Sequence, residues 1–299
     1  MSRIQANALL LLAAVIWGSA FVGQVIGMDG LGPLSFTGLR FLLGAAVVAP
    51  LAWRESRRLR AQGHAFGAAE TRWVLGLGGL LCSGVVMQQF GLMSTTVTNA
   101  GFLTALYVPL VPLLAWWLQR QRPHWSTWPA VIGCLAGTWL LTGGTLTGLS
   151  RGDLWVMASA LPWAVHVLWV GQVANRLRGA FRLACGQFAV CGIVATAAGL
   201  ALEPISGDGL LRAAGAIAYT GLLSVGVGFT LQVIGQRHAP PADAAIVLSS
   251  ETVFAALFGA AFLGDRLGPA GLAGCALILA SILLVQILPL LRQRLSSTF

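Results

Sequence analysis

DAAIVLSSETVFAALFGAAFL, residues Asp243 to Leu263, is an apolar run that carries Glu251 near its middle. About 20 residues at a rise of roughly 1.5 Å span a hydrocarbon core of about 30 Å, so the run is long enough to cross a bilayer as a helix. A carboxyl at that depth costs about 2.5 kcal/mol or more at insertion, which points to a wet cavity or a partner; gluing two helices is the competing role. The stretch has a counterpart 144 residues upstream, where Thr98-Asn99-Ala100-Gly101-Phe102-Leu103 parallels Ala242-Asp243-Ala244-Ala245-Ile246-Val247. A segment that occurs twice points to a duplicated chain.

Composition sets the class. The 299 residues are 57% hydrophobic and 9% charged, with a mean hydropathy of +0.82. An ordinary soluble domain carries about 25% charged residues, so this is an all-α polytopic membrane protein. All 18 basic residues are Arg, set against 9 acids. In a soluble protein that excess suggests nucleic acid. Here the arginines sit in short loops between apolar spans, where they fix orientation, and no nucleic-acid partner is expected. Cys82, Cys134, Cys185, Cys191 and Cys275 lie in apolar segments without a C-x-x-C pair and read as packing residues, with no metal site and no disulfide framework. The first apolar run, Ala6 to Ile26, is too long for a signal-peptide core and is expected to stay as the first membrane helix.

Hydropathy divides the chain into ten spans, near 5–26, 33–53, 71–92, 97–118, 126–143, 152–173, 181–202, 212–235, 243–263 and 268–290. Lipid leaves helices as the only way for such runs to satisfy their backbone polar groups. Arginines on alternate sides number 14 (3, 54, 57, 58, 60, 72, 120, 122, 176, 178, 182, 237, 292, 294) against 3 (151, 212, 266). The richer side is cytoplasmic by the positive-inside rule, which places both termini inside, in a bacterial cytoplasmic (inner) membrane. Arg54 to Arg72 reads as the one long cytoplasmic connection, charged and mobile.

Other matches keep a similar offset and the same order. Trp17-Gly18-Ser19-Ala20 pairs with Trp163-Ala164-Val165-His166, Arg40-Phe41 with Gln187-Phe188, and Gly133-Cys134 with Gly274-Cys275. Five helices per unit is an odd number, so the second unit enters the membrane from the opposite side. The expected architecture is ten transmembrane helices as two inverted five-helix repeats, 1–146 and 147–299, with a binding site near the midplane between them.

Several motifs carry a resemblance to a known family: W-G-S-A-F-V at Trp17 to Val22, P-x6-R-F at Pro33 to Phe41, the pair Pro109 and Pro112, and L-G-D-R at Leu263 to Arg266. On these, across the whole chain, the sequence resembles the EamA-type branch of the drug/metabolite transporter superfamily. In length, helix count and tryptophan content it is similar to the YddG-type exporters of aromatic amino acids. Thr252 follows Glu251 where many relatives have Pro, which puts a helix break there in doubt. The resemblance implies a secondary transporter that exports small metabolites, most of all aromatic and other amino acids, by alternating access around a central cavity. Its alternatives are a carrier of multidrug or cationic compounds, or of nucleotide sugars, within the same superfamily.

Candidate substrate-binding residues are those that place polarity or a flat ring at mid-depth. Trp17 and Trp163 lie near the centres of their helices and are candidate walls for a flat or cationic substrate, or packing residues. His166 shares the face of Trp163 and reads as a buried neutral ring or a proton relay. Gly84, Gln88, Gly91 and Thr95 form one stripe, Ala100, Thr104, Tyr107 and Val111 a second, and Tyr219, Gly226 and Thr230 a third; polar stripes are costly in lipid and should face inward. Glu251 completes the set. Arg40, the one basic residue deep within a span, has three candidate roles: snorkelling to the interface, balancing Glu251, or holding a substrate carboxylate. Pro109 and Pro112 remove backbone donors and mark a hinge or a static bend. Gly133-x3-Gly137 invites close approach to the last helix or to another protomer.

No Walker motif occurs and Lys is absent, so the chain hydrolyses no ATP and no cofactor is implied. An intramembrane enzyme would need a nucleophile with its base, or clustered metal ligands; the scattered histidines His64, His124, His166 and His238 provide neither. The expected partners are a small-molecule substrate and the lipid bilayer, with the chain a monomer or homodimer.

Overall fold

A computed structural model describes residues 1–64, 66–120, 122–141, 150–264 and 268–296, and all regular structure among them is helical. Among the described residues eight helical runs are long and apolar enough to cross a membrane: α1 (Arg3–Met28), α2 (Pro33–Ala61), α3 (Ala68–Leu92), the pair α4–α5 (Val97–Gln119), α7 (Arg151–Arg176), α8 (Ala180–Leu202), the composite Gly207–Gln236 and the pair α11–α12 (Pro241–Phe262). Two shorter apolar helices, Thr127–Gly137 within α6 (Thr127–Leu141) and Pro269–Leu284 within α13 (Pro269–Ser296), accompany them. The Leu263-to-Arg266 motif falls partly outside the described residues.

Local chemistry explains most helix starts. Ser2 and Gln5 form a capping box at α1, with bonds of 2.9 and 3.2 Å. Ser150 and Asp153 form the equivalent box at α7, at 2.8 and 3.0 Å. The expected long connection from Arg54 to Arg72 is corrected: α2 continues to Ala61 and α3 begins at Ala68. Arg is a good helix former, and Arg58 and Arg60 in the last turn complement the negative end of the helix dipole, so the charged stretch extends α2 into water.

Two spans are interrupted, at corresponding places. The fourth breaks between α4 (Val97–Thr104) and α5 (Tyr107–Gln119), at Ala105 and Leu106. The ninth breaks between α11 (Pro241–Leu248) and α12 (Glu251–Phe262), at Ser249 and Ser250, each 144 residues on. In the fourth, the ring of Pro109 clashes with the carbonyl four residues earlier, Ala105, and the helix restarts so that Pro109 falls in a first turn that needs no donor. In the ninth no proline follows the break, which forms without one. Three hydroxyls back-bond instead: Ser249 Oγ donates to Ile246 O (2.7 Å), Ser250 Oγ to Val247 O (2.7 Å) and Thr252 Oγ1 to Ser249 O (2.9 Å). They favour the tighter i to i−3 turn over the α ladder. The eighth span also departs from a plain helix. Between α9 (Gly207–Tyr219) and α10 (Thr230–Gln236) lies a ten-residue π segment, Thr220–Phe229. Trp17 Nε1 donates to Ser224 O within it at 3.2 Å.

Packing centres on α2 and α8, which run side by side, while α3 packs on α7 and α8. On the other side α1 lies along the π segment, α10, α11 and α12, and α4 and α5 pack on α7. α6 packs on α13, where a Cβ at Gly137 would fall 2.7 Å from Gly274 O, so the small-residue motif serves an approach within the chain. The ends of α2 and α8 cap each other. Glu203 accepts from Leu34 N and Ser35 N, both at 2.8 Å, at the start of α2. Glu55 accepts from Arg182 N at 2.8 Å at the start of α8. Gly32 and Gly179 make room for these carboxylates, since a Cβ would sit 2.3 Å from Glu203 Cδ or 2.7 Å from Glu55 Oε2. Midway along the pair, Phe41 and Phe188 meet edge to face at 6.1 Å.

Candidate functional site

A central cavity opens beside this aromatic contact, with about 500 Å³ of space between its walls, mouth included. Trp17 on α1 and Trp163 on α7 line it. Phe229, at the end of the π segment, bridges them, its ring centroid 4.6 Å from Trp17 and 5.9 Å from Trp163, stacked on the latter. Each indole lies against a glycine. A Cβ at Gly228 would fall 2.7 Å from Trp17 Nε1, and one at Gly84 would fall 3.1 Å from Trp163.

The polar lining comes from several helices. Gln88 Nε2 donates to Thr104 Oγ1 at 2.8 Å, and Thr104 Oγ1 donates to Ala100 O at 2.7 Å. Tyr107 reaches Ala245 O at 3.4 Å across the two broken spans. Glu251, the first residue of α12, is buried in the lining. Arg40 is 2% exposed, so it does not snorkel; it donates to Gln89 Oε1 at 3.2 Å and lies 5.3 and 5.6 Å from the Phe41 and Phe36 rings. Among the described residues neither Arg40 nor Glu251 belongs to an ion pair. Arg40 Nε, Gln24 Oε1, Trp163 Nε1 and Gln232 Oε1 are buried without hydrogen-bond partners. Such atoms are costly when left unmade, so a lining that holds several is chemically prepared for a polar guest.

The sequence candidates divide. Trp17, Gln88, Thr104, Tyr107, Trp163 and Glu251 line the cavity together, joined by Arg40. His166 does not: it is fully buried behind Trp163, its ring 6.0 Å away edge-on, with Nε2 3.0 Å from Gln187 Oε1. Tyr219 lies in a separate apolar groove with its hydroxyl 2.6 Å from Ser19 Oγ. Thr230 is buried outside the lining. The reason for the last two is the π segment. Its i to i+5 bonds take more residues per turn, so a stripe counted at α-helical spacing drifts off the inner face and Phe229 and Gln232 come round to it. Pro109 and Pro112 sit in α5, beyond the break, rather than in the cavity wall.

The repeat offset was the signal that finds the missed residues. Twelve of the 15 lining residues fall into pairs 144 or 146 positions apart: Trp17 with Trp163, Phe21 with Val167, Val85 with Phe229, Gln88 with Gln232, Thr104 with Leu248, and Tyr107 with Glu251. Gln24, Arg40 and Ser224 stand outside this pairing.

Comparison with known proteins gives the same answer twice along the chain. The model of the EamA-like transporter family matches residues 5–143 and again 150–287. An uncharacterized transporter of Archaeoglobus fulgidus is 28% identical over 288 residues, 96% of this chain and 87% of that one. The uncharacterized transporter YwfM of Bacillus subtilis is 26% identical over 289 residues, 94% of this chain and 93% of that one. One crystal structure of a protein shares the fold at 21% identity, with a TM-score of 0.74 and coverage of 96% and 98% of the two chains. The two sequence relatives are transporters rather than enzymes, and the chain belongs to the EamA-like transporter family.

Proposed function

We propose that the chain exports amino acids, aromatic ones above all, as a secondary transporter that opens its central cavity alternately to the two sides of the membrane. One observation carries this reading: Arg40, Glu251 and the aromatic wall of Trp17, Trp163 and Phe229 converge on one cavity, and among the described residues neither Arg40 nor Glu251 belongs to an ion pair. A zwitterion answers both groups. Its carboxylate sits on the guanidinium, its ammonium on Glu251, and a flat side chain packs on the indoles.

The reading rests on an architecture of ten membrane helices, 1–146 and 147–299 forming inverted repeats, with α6 and α13 as the fifth of each. Matched breaks, matched capping boxes, the reciprocal Glu55 and Glu203 caps and the paired lining all support it. Five spans per repeat put the halves upside down to one another, with the cavity between them. The arginine distribution supports cytoplasmic termini and an inner-membrane location. Without a nucleotide site, the driving force is a gradient.

Counterflow in proteoliposomes tests the assignment with three ligands of one shape: tryptophan, tryptamine lacking the carboxylate, and indole-3-propionate lacking the amine. Tryptophan should exchange at least about tenfold faster than either, the worth of one charge-assisted hydrogen bond. Tryptamine moving as fast as tryptophan would transfer the assignment to a carrier of cationic compounds, the second reading that Glu251 beside aromatic walls allows.

A further inference from the structure

A second polar pocket lies at the end of the molecule where α7 gives way to α8. It is lined by Arg176, Arg178, Arg182, His64 and Glu70 and shares no lining residue with the central cavity. Arg178 holds a left-handed backbone, φ 52°, and its Nη1 meets His64 Nε2 at 2.6 Å. Arg182 is 7% exposed; Nη2 donates to Leu177 O at 2.5 Å, while its Nε is buried with no partner. Arg176 lies over the Trp73 ring at 5.5 Å and Arg182 over Phe66 at 5.4 Å.

The nearby carboxylates, Glu70 in the lining and Glu55 against Arg182, each cap a backbone amide. Glu70 Oε2 accepts from Gly67 N at 2.9 Å and Glu55 Oε2 from Arg182 N at 2.8 Å. Among the described residues none of the three arginines forms an ion pair. Three guanidiniums thus converge on one concavity with an unmade donor, the donor set that a phosphate oxygen cluster satisfies.

Depth identifies the source of the phosphate. Trp73 lies against Trp169, tilted by 34° with centroids 5.5 Å apart, and Trp53, 59% exposed, carries Arg57 over its ring at 5.0 Å. Tryptophans with arginines just beyond them mark the headgroup level. Farther along α3 from Glu70, Leu75 is exposed, an apolar contact for an acyl chain. We propose that this pocket binds the phosphate of an anionic phospholipid headgroup, holding the α7–α8 turn at the membrane surface.

Native mass spectrometry of the detergent-purified full chain tests this with phosphatidylglycerol, phosphatidylcholine and inorganic phosphate as probes. Phosphatidylglycerol should be retained in preference to phosphatidylcholine. Arg176→Gln and Arg178→Gln should each lower that preference about fivefold, the effect of one basic residue at a charged surface. Arg60→Gln, at the same end but outside the pocket, should leave it unchanged. Protection against thermal unfolding by inorganic phosphate equal to that by the lipid supports the anion site with a soluble occupant. Equal retention of the two lipids by the unsubstituted chain, or loss on Arg60→Gln as large as on the pocket variants, overturns the proposal. None of these readouts depends on transport.

Discussion

Tyr107 and Glu251 hold the same place in the two halves, each the first residue after a helix break and each in the cavity wall. The offset therefore singles out a position where one half presents a phenol and the other a carboxyl, and that asymmetry gives the cavity a polarity its scaffold lacks. Glu251→Gln keeps the shape and removes the acidic group. With no ion pair lost among the described residues, its thermal unfolding should stay at or above that of the parent, since a buried acid without an ion-pair partner is costly, while tryptophan counterflow falls by about tenfold or more. Coincident loss of stability and flux would reduce Glu251 to a structural residue. The glycines under the indoles give a second contrast. Gly228→Ala places a methyl 2.7 Å from Trp17 Nε1 and must displace a ring that donates to Ser224 O, whereas Gly84→Ala meets Trp163 at 3.1 Å. Overpacking of this kind costs about 1–3 kcal/mol, so Gly228→Ala should unfold at lower temperature and shift the tryptophan emission, with Gly84→Ala closer to the parent. Residues such as Trp17, Trp163 and Glu251 were legible in the sequence because aromatic or charged groups at mid-depth are conspicuous against lipid. Phe229 was not, because an apolar ring in an apolar span carries no such contrast and its orientation depends on a π segment that no hydrophobic period announces.

At the scale of elements, the spans were legible as apolar lengths, but their interruptions were not, since proline and hydroxyl residues produce the same break by different chemistry. Pro109 excludes the α-helical bond to Ala105, while Ser249, Ser250 and Thr252 outcompete it from the side. Pro109→Ala restores a donor for the Ala105 carbonyl and should let α4 and α5 join. Amide exchange across Ala105 to Pro109 should slow and tryptophan flux should fall several-fold if the break must flex. Unchanged exchange would show that tertiary packing, rather than the proline, keeps the span broken. The caps between α2 and α8 were hidden for another reason: Glu55 belongs to a charged stretch that reads as a loop, Glu203 follows the last residue of α8, and only the antiparallel packing of the two helices brings each to the other's first turn. Glu203→Ala strips two backbone donors of their acceptor and Glu55→Ala strips one. A lost cap costs about 1–2 kcal/mol, so both should lower the unfolding temperature, Glu203→Ala by more. Equal and negligible effects would mean that water replaces the carboxylates at both helix starts.

Over the whole molecule the helix pairings fall into two kinds under the repeat offset. α2 with α8 and α6 with α13 each join a helix to its own counterpart, so a swap of the two halves maps these contacts onto themselves. Among the others, α1 with α11 and α12 on one side and α7 with α4 and α5 on the other map onto each other. In a rocking motion the first kind persists and the second kind exchanges, opening at one end as it closes at the other. The contact at the terminus-bearing end is visible: Arg3 at the start of α1 forms an ion pair with Asp243 in the first turn of α11. If this end opens to admit cytoplasmic substrate, tethering the pair must stop transport. Arg3→Cys and Asp243→Cys, bridged by a short bis-thiosulfonate reagent, should abolish tryptophan counterflow, and a reductant that cuts the bridge should restore it. The unsubstituted chain, whose five cysteines lie buried or half-buried in helices, sets the background for the reagent. The same double variant, labelled in sealed cells with a membrane-impermeant thiol reagent, should react only after the membrane is opened if this end lies inside, as proposed from the arginine distribution. Full transport through the bridged protein would place the moving contact elsewhere, and labelling in intact cells would turn the molecule over in the membrane.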